Sequence, residues 1–221
     1  QMCIRDRLPI VSDNFSKSDT IINVADSKPG WARAYRELVA LLYAGQIPQY
    51  NVDNVRPAGS RLKVMGGRAS GPKPLVDLFN FTIDTFKKAK GRRLYPIECH
   101  DIMCKVGQVV VVGGVRRSAL ISLSNLTDDQ MAHAKSGEWW DEPDRGIYRN
   151  GQRNMANNSV AYENKPEMGT FMREWLSLYD SKSGERGIFN REAADKQVAR
   201  NGRRETCLLY TSPSPRDRTR S

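Results

Sequence analysis

Gly113 and Gly114 end the apolar run Val110, Val111 and Val112, and lead through Val115 into the paired guanidiniums of Arg116 and Arg117, then Ser118 and Ala119. Glycine admits positive φ and close approach, and arginine supplies planar, permanently charged donors. These residue types in this order describe backbone able to rearrange around an anion, either a phosphate or the edge of a nucleobase. Surface charge opening a strand is the simpler alternative, since arginines are mostly exposed. An apolar approach followed at once by two glycines and two guanidiniums is, however, an unusual start for a surface strand.

A second basic, glycine-rich stretch runs from Arg56, Pro57, Ala58, Gly59, Ser60, Arg61, Leu62 and Lys63 to Gly66, Gly67, Arg68, Ala69, Ser70, Gly71 and Pro72, where a helix is expected to open. Unpaired N–H groups and the dipole at a helix start favour an anion. From spacing alone, a tight connection needing small residues accounts for it better. No Walker-type lysine follows, which excludes a P-loop. Asn154, Met155, Ala156, Asn157, Asn158, Ser159 and Val160 gather amide and hydroxyl groups before an apolar strand, a set that can fix a sugar or base or can simply build a turn. The same ambiguity attaches to Glu185 and Arg186, a charged pair between the turn glycines Gly184 and Gly187. His100 and His133 are too isolated for a metal site, and Cys99 and Cys104 read as residues of one helix. No nucleophile–base–acid set or carboxylate pair can be assembled.

Alternating helices and short strands must position these segments. Trp31, Tyr35, Leu38, Leu41 and Leu42 recur at helical spacing over residues 29–44, with Ser27 or Asp26 available as a cap and Gly45 as a stop. Leu75, Leu78, Phe79, Ile83 and Phe86 stripe a second helix that closes with Lys87, Lys88 and Lys90 before Gly91. A third is expected from Pro96 to Val106, a fourth over residues 166–179 carrying Phe171, Trp175, Leu176 and Tyr179, and a last over residues 191–200. Thr127 is read as the cap of an acidic start at Asp128 and Asp129. Strands are expected over residues 119–123, 159–162 and 187–189. Such alternation favours parallel strands covered by helices.

The two ends call for separate treatment. Residues 2–7 can be encoded by ATG TGT ATA AGA GAC AG, whose reverse complement, read one base in, encodes the Cys-Leu-Leu-Tyr-Thr-Ser of residues 207–212. Complementary readings of one DNA string at opposite ends look like translated sequencing adapter, so residues 1–7 and 207–221 are expected not to be native. They carry net charges of +1 and +2, which lowers the chain's +10 to +7 between them. Basic residues there are scattered among Asp and Glu, which favours a solvated surface over a nucleic-acid footprint. The length is that of one domain or part of a larger one. Cys3 and Cys207 fall in the adapter segments, leaving two cysteines and no disulfide framework. No apolar run reaches the roughly 18 residues of a membrane span, and a reducing, cytoplasmic setting is the expectation.

Five ordered segments carry a resemblance. Residues 56–63, residues 67–72, the run from Gly113 to Ala119, Asn157 to Val160 and Gly184 to Phe189 resemble, in the same succession, the class II, adenosylcobalamin-dependent ribonucleotide reductases. The detail looks most like their monomeric ribonucleoside-triphosphate members. The resemblance covers residues 8–206 and implies part of a ten-stranded α/β barrel. It further implies that residues 113–119 are the loop between an allosteric specificity site and the substrate base, coupling a deoxynucleoside triphosphate effector to selection of the ribonucleoside triphosphate substrate. Arg61, Ser70, Gly71, Asn157, Asn158 and Ser159 become candidate nucleotide contacts.

The implied chemistry replaces the ribose 2'-hydroxyl by hydrogen through a cysteine thiyl radical, with adenosylcobalamin as cofactor and a thioredoxin-like protein as reductant. The radical cysteine, in an Asn-Pro-Cys-Gly-Glu type motif, and the redox cysteines are expected outside this interval, so no catalytic residue is assigned. Arg186 stands where many members have proline. The parent is expected to be a monomer that neither enters membranes nor binds nucleic acid. A diphosphate-using or dimeric reductase is the nearest alternative, and a noncatalytic nucleotide-binding regulator is the alternative of another class.

Overall fold

The computed structural model describes residues 8–61, 67–109, 120–136, 151–182 and 184–200. The chain divides into two compact units, one of residues 1–120 and 138–156, the other of residues 121–137 and 157–221.

The first unit opens with a strand–helix–strand arrangement: β1 (Ser16–Asn23), α1 (Lys28–Tyr43) and β2 (Gln46–Asn51). The strands pair in parallel, Ser16 opposite Gln46 and Asn23 opposite Asn51, with an irregularity between Lys17 and Ile21. Ser27 caps α1 by accepting from the Gly30 amide at 3.0 Å, the better of the two caps that the sequence offered. Asp26, the other, instead accepts from Arg56 at 2.6 Å. After Gly45, at φ 76°, the chain turns directly into β2.

Two further helices, α2 (Lys73–Lys88) and α3 (Pro96–Val109), complete the core of this unit. Leu38 and Leu42 of α1 meet Leu75, Phe79 and Phe86 of α2, with Val11, Ile22 and Val24 closing the cluster. Tyr43 packs edge-on against Phe86, and Tyr50 against Phe79. The Tyr35 hydroxyl lies 3.1 Å from that of Thr82. Burial raises the Tyr35 pKa, partly offset by this hydrogen bond.

Glu98 organises the start of α3. It accepts from the Tyr95 amide at 2.8 Å, in the manner of a capping box, and takes two hydrogen bonds from Arg92 at 2.8 and 2.7 Å. The Arg92 guanidinium also lies over the Tyr95 ring, 4.1 Å from its centroid. A short 3-10 helix, Gly151–Met155, packs on α3 through Met155 against Cys104.

The second unit holds β3 (Leu120–Ser124), a single helical turn α4 (Asp129–Ala132), β4 (Ala156–Tyr162), α5 (Met168–Asp180), β5 (Gly187–Asn190) and α6 (Arg191–Arg200); one terminal residue of β3 and one of β4 fall in the first unit. The sheet order is β3-β4-β5. β4 and β5 are parallel, from Ser159 opposite Gly187 to Tyr162 opposite Asn190. Asp128, rather than Thr127, caps α4, its carboxylate accepting from the Met131 amide at 3.2 Å. The expected stripe on α5 forms as a helix but not as a core: Phe171 is half-buried, Trp175, Leu176 and Tyr179 are exposed, as are Met168 and Met172 on the same helix, and Trp175 stacks on Tyr179.

The expected part of a ten-stranded α/β barrel is therefore corrected. The described residues form a two-stranded and a three-stranded sheet, and neither closes on itself. Closure requires every strand to be paired on both sides, whereas among the described residues β1 and β2 pair only with each other and the other sheet has two edges. Among the described residues, no helix is long and apolar enough to cross a membrane.

Candidate functional site

Arg61, Ser70 and Gly71 are brought together in the first unit at the base of a loop. Arg61 forms an isolated antiparallel bridge with Arg68. The Gly59 amide donates to the Ala69 carbonyl at 2.9 Å, the Ala69 amide returns to Ser60 at 2.8 Å, and Arg68 reaches the Gly59 carbonyl at 3.1 Å. Gly71, at φ 73°, is held so close to Ala58 that a Cβ would stand 2.8 Å from its amide nitrogen. Glycine is required at that position on both counts. The start of α2 follows with no side-chain cap; the Leu75 and Val76 amides both donate to the Pro72 carbonyl, at 3.0 and 3.1 Å, and Arg61 and Arg68 before it are exposed.

Asn157, Asn158 and Ser159 lie in β4, in the second unit, and the strand's two-residue period separates them. Asn157 is exposed and Ser159 half-buried on one face, while Asn158 is buried on the other. The structure thus presents Asn157 and Ser159 together and turns Asn158 inward.

Beneath this segment lies a polar network in which only the Glu185–Arg186 pair was visible in the sequence. Glu185 accepts from Lys135 Nζ at 2.7 Å and from the Asn158 backbone amide at 2.6 Å. The Lys135 side chain is only 7% exposed. Arg186, 2% exposed in its side chain, places Nε and Nη2 on Glu174 of α5 at 3.0 and 2.8 Å. Its remaining donors meet Ser124 Oγ at 3.0 Å and the carbonyls of Asn125 and Leu126 at 3.1 and 3.5 Å. Gly187 adjoins Ser159 so closely that a Cβ would stand 3.0 Å from Ser159 Oγ. Lys135 and Glu174 gave no sequence signal, because each sits among ordinary polar residues and acquires a partner only through long-range packing.

Gly113, Gly114, Val115, Arg116, Arg117, Ser118 and Ala119 lie outside the described residues. The element before them, α3, carries a buried polar chain of its own. Cys104 Sγ lies 3.7 Å from His100 Nε2 and 3.8 Å from Nδ1, His100 Nδ1 lies 3.5 Å from Asp101, and Asp101 receives Arg153 at 2.7 and 2.8 Å. Burial opposes ionisation of Asp101 and is the largest influence on it. The hydrogen bonds and charges of Arg153 and His100 together outweigh it, and the pKa falls below the usual value. At Tyr162, burial and the Glu174 charge push the hydroxyl's pKa up, with Arg186 acting in the opposite sense.

Among the described residues, no group of three or more His, Cys, Asp or Glu side chains could hold a metal ion. His100 is turned onto Cys104 and Asp101, and His133 approaches Ser136 Oγ at 3.4 Å.

No protein-family model matches the chain. It is 29% identical over 189 residues to the adenosylcobalamin-dependent ribonucleoside-triphosphate reductase of Lacticaseibacillus paracasei, covering 80% of this chain and 24% of that protein. The reductase of the same description from Lactobacillus acidophilus is 30% identical over 146 residues, covering 63% and 18%, and that from Lactobacillus leichmannii 30% over 119 residues, covering 51% and 16%. A crystal structure of a B12-dependent (class II) ribonucleotide reductase matches with a TM-score of 0.56 at 20% identity, over 72% of this chain and 25% of that one. This last likeness concerns the fold alone. The chain spans at most about a quarter of the length of the relatives named here.

Proposed function

We infer, from a family relationship to the class II ribonucleotide reductases, that this chain is a piece of an enzyme that reduces ribonucleoside triphosphates to 2'-deoxyribonucleoside triphosphates for DNA synthesis. The observation that carries the reading is similarity over 80% of the chain to one such reductase. Residues 8–206 are the native part in this reading, and residues 1–7 and 207–221 are adapter-derived.

Residues 113–119 serve as the loop that reports a bound deoxynucleoside triphosphate to the substrate base. Arg61, Ser70 and Gly71 meet anionic or polar groups of a nucleotide at the start of α2. Asn157 and Ser159 offer donor and acceptor groups to the substrate from one face of β4, while Asn158 supports them from within. Adenosylcobalamin and a thioredoxin-like reductant complete the activity, in a cytoplasmic and monomeric parent. The radical and redox cysteines are assigned elsewhere in that parent, and no residue here receives a catalytic role.

The experiment is to clone and sequence the uninterrupted reading frame from the source DNA. An Asn-Pro-Cys-Gly-Glu type segment soon after residue 206 is the expected result, and its absence would defeat the reading.

A further inference from the structure

We propose that Glu185 is a positioning residue for substrate: held by Lys135, it fixes the Asn158 backbone so that Asn157 and Ser159 meet a ribonucleotide together. This rests on the reading above, in which those two side chains contact substrate.

The first support is energetic. Lys135 and Glu185 are both largely withdrawn from water, and a buried ion pair is often no more stabilising than an apolar pair of the same volume. Packing alone gives little reason for it. What the pair supplies is a fixed, charged acceptor. One carboxylate oxygen takes the lysine and the other takes the Asn158 amide, and such charge-assisted bonds are shorter and stronger than neutral ones.

The second support is geometric. The Asn158 amide is spent on a side chain, and the pairing of β4 with β5 begins at the next residue, Ser159 opposite Gly187. Glu185 therefore holds β4 at the point where its pairing with β5 begins, and with it the register that turns Asn157 and Ser159 to one face. Asn157 and Ser159 fall on one face, about 6.6 Å apart along the strand, a reach that one nucleoside sugar can bridge. A one-residue slip would exchange them for Asn158. Gly187 leaves room beside the Ser159 hydroxyl, where a Cβ would crowd Oγ. The neighbouring Arg186 anchors the same turn to α5 and the end of β3, so the acceptor sits on a rigid base.

The test uses the longest protein that the reading frame encodes. The apolar pair K135M/E185L removes the anchor without leaving a lone buried charge, and E185Q serves as the second variant if the pair does not fold. Three quantities are measured on each: the unfolding midpoint, the hydrogen-exchange rate of the Asn158 amide, and the affinity for CTP by equilibrium dialysis. The expected result is a midpoint within a few degrees of wild type, exchange accelerated about tenfold and CTP affinity weakened about tenfold, in keeping with loss of one charge-assisted hydrogen bond. Unchanged exchange overturns the proposal, and so does faster exchange with unchanged CTP affinity, which would make the contact purely structural. If wild type binds CTP but does not reduce it, weakened binding in the variant still supports the positioning role while the reductase reading fails. If wild type neither binds nor reduces CTP, both fall.

Discussion

Arg186 and Glu174 face each other through two parallel hydrogen bonds, from Nε at 3.0 Å and Nη2 at 2.8 Å, with the guanidinium almost wholly enclosed. All five of its N–H donors are accounted for once Ser124, Asn125 and Leu126 are included. The clamp joins the turn before β5 to α5 and to the end of β3.

Removing one half of that clamp should be costly. Arg186→Met leaves the Glu174 charge enclosed without its partner and is expected to lower stability by about 3–5 kcal/mol, the usual range for breaking a buried pair. The double change R186M/E174L should recover most of the loss. Urea unfolding of the single and double variants measures both values, and equal losses in the two would show that the pair is not coupled.

Asp101 should shape the acid limb of stability. Its carboxyl is held below the ordinary aspartate range by Arg153 and His100 despite burial, so the folded state favours its ionised form. That contribution is complete above the unfolded-state pKa of about 4, and is lost as pH falls through the lower folded-state value. Asp101→Asn should be less stable than wild type at neutral pH and should lose less of its remaining stability between about pH 4 and pH 2. Denaturant midpoints measured across that interval supply the check.

The two helix cysteines should differ in reactivity. Cys104 is enclosed by Met155 and Ala156, whereas Cys99, five residues earlier, is partly accessible. Alkylation followed by peptide mass spectrometry should mark Cys99 at least about tenfold faster than Cys104 in the native protein, with the difference abolished in urea, since access governs thiol chemistry as strongly as ionisation does.

Phe79→Ala should unfold the first unit most readily among single core truncations. Phe79 is fully buried and touches both Tyr35 and Tyr50, and large-to-small changes of this type cost about 3–5 kcal/mol. Ser27→Ala, which removes the α1 cap, should cost about 1 kcal/mol. A thermal melt that ranks them in the opposite order would contradict the assigned core.

Helices were legible in the sequence where apolar spacing and punctuation agreed. The stripe through Leu75, Phe79 and Phe86 and the stop at Gly45 fall where the structure has them. β1 was not, because its residues are mostly polar and only Ile22 is buried. β2 carries Pro48 within a six-residue strand, which reads as an interruption. The apolar face of α5 was visible as periodicity, but periodicity alone does not say whether a face is covered. The barrel expectation came from the family resemblance, and strand pairing is a long-range property that no local pattern encodes. At the candidate site, residue type alone singles out Asn157 and Ser159, and the structure adds that they share one face of β4. Lys135 and Glu174 were not, because their roles depend on partners 50 and 12 residues away.

The most direct test of the whole account is to express the protein encoded by the uninterrupted reading frame and to supply it with ribonucleoside triphosphates, adenosylcobalamin and a dithiol reductant. Deoxynucleoside triphosphate formation that depends on the cofactor, with base preference altered by added dATP or dTTP, is the result predicted. Failure of the complete, folded protein to form any deoxynucleotide under those conditions would contradict it.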